Sequence, residues 1–149
     1  MKRLTSALAG IVAILALVVL TGCGESSNAP PPPPVKYSLK LYGDSTEPLR
    51  TFIGTRATAG EGIAYVITEG DNEYTRAVGT WVLEPEGALP AAERAADSKY
   101  KVVLYNGSTV LRTWYTSYAT AGEGIVFIKT AEGVDYTRAS GTITLEVLK

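Results

Sequence analysis

The sequence predicts an all-β protein built as tandem duplicated four-stranded antiparallel meanders, packed as a pseudo-two-fold sandwich or open barrel. Three observations lead there. Short runs rich in Tyr, Val, Ile and Thr alternate apolar with polar side chains, the period of a half-buried strand. Turn chemistry such as Asn106-Gly107 separates those runs. Finally, residues 49–84 align with residues 111–146 at a constant offset of 62, with 19 identities over 36 positions. A four-stranded unit of this size is marginal alone without a disulfide or metal, so the two copies are expected to share a core.

The chain begins with a segment of a different kind. Met1, Lys2 and Arg3 are followed by an apolar run from Ala7 to Leu20. Fourteen helical residues span roughly 21 Å, too short for a hydrocarbon core of about 30 Å. The run reads as the apolar region of a secretory signal. Residues 24–29 are small and polar, and Pro30 to Pro34 is an unbroken proline run. Proline favours extended polyproline II, so residues 24–35 form a spacer reaching up to roughly 40 Å.

The first copy occupies residues 36–84 and the second residues 99–149. Residues 37–42 alternate, with Tyr37, Leu39 and Leu41 on one face. A second strand is expected over residues 49–56 and 111–118, and a Gly-punctuated loop then leads to a third over residues 63–68 and 125–130. A turn at residues 69–72 precedes a long last strand over residues 74–84. Gly79 and Gly141 interrupt that strand and its counterpart, which predicts a bulge or bend. Residues 85–98 connect the copies. Ala91, Ala92, Ala95 and Ala96 after Pro90 allow one or two helical turns there.

At the end of the signal segment stands Leu20-Thr21-Gly22-Cys23. This resembles the lipobox of bacterial lipoproteins, in which apolar and small residues precede the modified cysteine. The resemblance covers residues 1–23. It implies removal of residues 1–22 by signal peptidase II and lipidation of Cys23 by a diacylglyceryl group, with further acylation in most Gram-negative hosts. Two or three acyl chains make a lasting anchor, whereas one binds only marginally. Gly24 in place of Asp implies the outer membrane in a Gram-negative cell. The expected location is therefore the cell envelope, with the protein held to lipid through Cys23.

Composition narrows the chemistry. Fourteen Lys and Arg balance fifteen Asp and Glu, which leaves no electrostatic footprint for nucleic acid. The chain has no His and one Cys, so the usual general base, a CxxC pair and a zinc site are missing. No catalytic residues, cofactor or metal are assigned. Glu61/Glu123 and Arg76/Arg138 recur in both copies and read as a surface or cross-strand ion pair and ordinary strand charges rather than acid–base pairs. The loop at residues 57–62 lacks the Lys and following helix of a phosphate cradle. Asp71, Asn72 and Glu73 have no matching oxygen-rich counterpart in the second copy and fit no calcium loop. Ser98 beside Lys99 has no supporting motif for a nucleophile.

Aromatic residues are more informative. Trp81, Trp114, Tyr115 and Tyr118 stand where the copies have diverged. Exposed, they would form a protein-binding hot spot or a sugar-stacking platform; buried, they would be core. The expected function is a non-enzymatic binding or blocking module for an envelope protein partner. The alternative is cell-wall glycan binding through the aromatics of the second copy. In general style the repeats are similar to small phage- or prophage-associated envelope domains, some of which exclude superinfecting phage.

Overall fold

A computed structural model describes residues 33–68, 74–88, 94–130 and 134–149. The N-terminal apolar run, Cys23, most of the proline run, the expected turn at residues 69–72 with Glu73, and residues 89–93 of the connector lie outside the described residues. The first half contains β1 (Tyr37–Tyr42), β2 (Pro48–Gly60), β3 (Ile63–Thr68), β4 (Tyr74–Ala77) and β5 (Trp81–Pro85). The second contains β6 (Tyr100–Asn106), β7 (Thr109–Thr116), β8 (Ala119–Gly122), β9 (Ile125–Ile128), β10 (Thr137–Ser140) and β11 (Thr142–Val147). All pairings are antiparallel, in one sheet of order β4-β3-β2-β1-β5-β10-β9-β8 and another of order β11-β6-β7.

Each half has more than the four strands expected, for local reasons. Gly79 (φ 89°) and Gly141 (φ 137°) hold backbone conformations that suit glycine, and they break the long last strand into β4/β5 and β10/β11. The expected loop before β3 shrinks to two residues, so β2 runs on to Gly60.

Within β2 the register slips between Gly54 and Arg56. A Cβ built on Gly54 would lie 1.9 Å from the Ile67 carbonyl oxygen, so only glycine permits this approach of β2 to β3. The aligned pair in the second half is Thr116 and Lys129. There the Thr116 hydroxyl donates to the Lys129 carbonyl (2.5 Å) and accepts from the Tyr118 amide (3.2 Å). The side chain occupies the place where the first half brings backbones together, and the strand divides into β7 and β8.

Two cores result. In the first, Leu39, Trp81 and Leu83 of β1 and β5 pack with Ala64, Val66 and Ala77 of β3 and β4. Those strands belong to one sheet, so it folds back on itself at β2. In the second, Val102, Leu104 and Trp114 of β6 and β7 pack against Val126, Ile128 and Ala139 of β9 and β10, together with Val82. Neighbouring residues on a strand point to opposite faces, so β5 contributes Trp81 and Leu83 to one core and Val82 to the other. All five of its residues are buried.

The halves join edge to edge, with Trp81, Val82 and Leu83 opposite Ser140, Ala139 and Arg138. The sequence reading expected two-fold packing, which would generate a second such seam between β4 and β11. Among the described residues β4 pairs with β3 and β11 with β6, and no β4–β11 ladder forms.

Candidate functional site

Burial removes two of the four aromatic candidates. Trp81 is 0% and Trp114 1% exposed; both are core residues, and neither is available to a partner. The cause is alternation: Trp114 lies opposite Val102 in the β6–β7 ladder and faces the second core with it. Tyr115, one residue on, points the other way and is half-buried. Tyr118 lies in the short break after β7 and is 46% exposed.

Tyr118 is joined by a second tyrosine from the segment before β10. Tyr136, 36% exposed, places its ring 5.9 Å from that of Tyr118. The first half carries its own pair, Tyr65 against Tyr74 at 6.2 Å in an edge-to-face arrangement. The Arg76 guanidinium lies 5.9 Å from the Tyr65 ring centre. Tyr74 is 51% exposed. Arg138 lies equally far from the Phe127 ring, at positions aligned with Arg76 and Tyr65. Tyrosines of this kind offer a large, stiff contact surface with a hydrogen-bonding tip, the chemistry of protein-contact hot spots.

The recurring acidic residues prove to be turn residues. Glu61 (φ 52°) with Gly62 (φ 75°), and Glu123 (φ 53°) with Gly124 (φ 73°), place both central residues of a two-residue hairpin at positive φ. This is the I′ type that suits strand twist. Both glutamates are exposed at the turn tips. Asparagine tolerates that conformation better than glutamate. Glu61→Asn and Glu123→Asn are each expected to raise stability by about 0.5 kcal/mol, read as an upward shift of the urea midpoint.

Charged contacts between the halves form around β5. Glu84, 8% exposed, accepts from Lys40 Nζ at Oε2 (2.6 Å) and from Arg112 Nη2 at Oε1 (2.7 Å). Both carboxylate oxygens are thus engaged, across the two halves. Beside this group a depression of about 260 Å³ is lined by Tyr37, Ile53, Pro85 and Glu86, among others. The buried Glu84 carboxylate at its rim is held by Lys40 and Arg112 and ties the two halves together.

Tyr37 links the halves a second time. Its hydroxyl donates to Asp135 Oδ2 (3.2 Å), which also accepts from Arg138 (2.9 Å). Burial, and then the Asp135 carboxylate, push the Tyr37 hydroxyl above its ordinary value near 10, with Arg138 acting in the opposite sense. The folded state therefore holds this proton more tightly than the unfolded chain does. The resulting stability is present below about pH 10 and is lost as pH rises through the folded value. Tyr37→Phe is expected to flatten the alkaline fall in urea midpoint between about pH 9 and pH 11; an unchanged slope would contradict this.

Sequence reading missed the Glu84–Arg112 pair, although Glu84/Glu146 and Arg50/Arg112 recur at aligned positions. Their partners lie in opposite halves, and alignment of the copies cannot show a contact between them. Among the described residues no group of three or more metal-ligating side chains comes together. Comparison with protein-family models, with curated proteins and with solved structures finds no match.

Proposed function

We propose that this chain is an envelope lipoprotein, tethered through lipidated Cys23, that acts as a non-enzymatic binding or blocking module for a protein partner. The observation that carries the binding reading is the exposed Tyr118–Tyr136 pair on the second half, with the Tyr65–Tyr74 pair as its analogue on the first. Two such surfaces on one tether favour repeated engagement of a multivalent target, because the second contact forms at high effective concentration. The proline-rich spacer gives the folded unit reach from the lipid surface.

Affinity capture from detergent-solubilised host envelope tests this reading, with tagged residues 24–149 as bait and Tyr118→Ala/Tyr136→Ala as control. These substitutions replace exposed side chains and leave both tryptophan cores in place. The expected result is a defined protein retained by the bait and lost in the control. Identical capture by both baits would overturn the assignment of the surface. Loss of binding on addition of soluble peptidoglycan would move the tyrosines to the glycan-binding alternative.

A further inference from the structure

The seam between the halves has an unused counterpart on the same molecule. β5 meets β10 with Leu83 opposite Arg138 and Val82 opposite Ala139. At the aligned positions stand Leu145 and Thr144 of β11, and Arg76 and Ala77 of β4. Leu, Arg and Ala are thus kept, and the aligned strands lack the matching ladder among the described residues. β5 is buried throughout, whereas β11 is exposed at five of its six residues. Leu145 (38%), Val147 (68%) and Val78 (68%) stand out from these two edges into solvent. An uncovered strand edge bearing apolar side chains is a template for pairing with another chain.

Charge follows the same pattern. Across the formed seam Glu84 of the first half binds Arg112 of the second. The aligned residues are Glu146 and Arg50. Glu146 lies 4.0 Å from Lys101 with most of its side chain exposed, and Arg50 is exposed. A second copy that placed β4 on β11 in the register of the formed seam would set Arg76 opposite Leu145 and Ala77 opposite Thr144. The same copy would bring its Arg50 to Glu146.

We propose that copies of this chain associate head to tail, β11 of one pairing antiparallel with β4 of the next, so that the contact between the halves is repeated between molecules. The contact is heterologous: each molecule uses one edge and keeps the other free, so growth continues beyond the dimer unless a ring closes. Thr144 in place of Val82 and Ile143 in place of Trp81 remove apolar volume. The intermolecular seam is accordingly the weaker of the two, and reversible.

Residues 34–149 form a compact unit containing every residue of both cores, so sedimentation velocity on residues 24–149 over a concentration series is the test. The expected result is a weight-average mass that rises past twice the monomer value. Leu145→Lys/Val147→Lys should remain monomeric with unchanged circular dichroism. Glu146→Arg should weaken association about tenfold, and Glu146→Arg/Arg50→Glu should restore it. A monomer at every concentration would overturn the proposal. So would a plateau at the dimer without ring closure, or association indifferent to all these substitutions. Because Tyr118 and Tyr136 are untouched, failure here leaves the binding reading standing, and failure of that reading leaves this one standing.

Discussion

Trp81→Ala is expected to destabilise the folded chain by about 3–5 kcal/mol, the range for truncating a fully buried large aromatic. The side chain is 0% exposed and packs among Leu39, Ala64, Val66, Ala77 and Leu83. Its indole N–H donates to the Gly62 carbonyl at 2.9 Å, so truncation opens a cavity and removes a bond to the β2–β3 turn. Trp114, the large aromatic of the other core, differs in one respect: its indole N–H finds no hydrogen-bond partner among the described residues. Trp81→Phe should therefore cost about 1 kcal/mol more than Trp114→Phe, the worth of an ordinary hydrogen bond. Urea unfolding of the three variants checks both statements; a loss below about 1 kcal/mol for Trp81→Ala would remove Trp81 from the core.

Glu84→Ala gives the second large effect, expected at about 2–4 kcal/mol. The substitution leaves Lys40 and Arg112 facing each other without the carboxylate that each contacts below 3 Å. Breaking a fully buried pair costs more, but these cations keep about a quarter of their side-chain surface in water (26% and 21%), which screens them. Replacing all three by apolar residues, as Lys40→Met/Glu84→Leu/Arg112→Met, should recover most of the loss, because no charge is then left buried and alone. A cycle of single, double and triple variants in urea measures this directly. If Glu84→Ala and the triple variant were equally unstable, packing and not charge would account for the effect.

Much of this fold is written locally. Strand β1 occupies the residues that alternation predicts, and β3 those expected after the Gly-punctuated loop, because both signals belong to one segment. Gly79 and Gly141 were recognisable as interruptions, since few other residues suit their φ values. The extent of β2 was not recognisable. Its continuation past Gly54 depends on an approach to the Ile67 carbonyl from a strand more than ten residues away. The sequence leaves Trp81 and Trp114 open between partner surface and core, because which face each strand buries is decided by the strand packed over it. The same holds for Glu84: its partners come from β1 and from the other half, and no local pattern names them. The sequence leaves Tyr118 open between surface and core; its exposure and the neighbouring ring of Tyr136 depend on how the break after β7 lies beside the segment leading into β10.

Strand β5 belongs to both cores, which ties the two halves into one cooperative unit. Native-state hydrogen exchange over a denaturant series tests it most directly, by comparing amides of β1 and β5 with those of β6 and β9. These strands are expected to exchange through a single global opening of common free energy and common denaturant dependence. Two distinct opening free energies, one for each half, would contradict it.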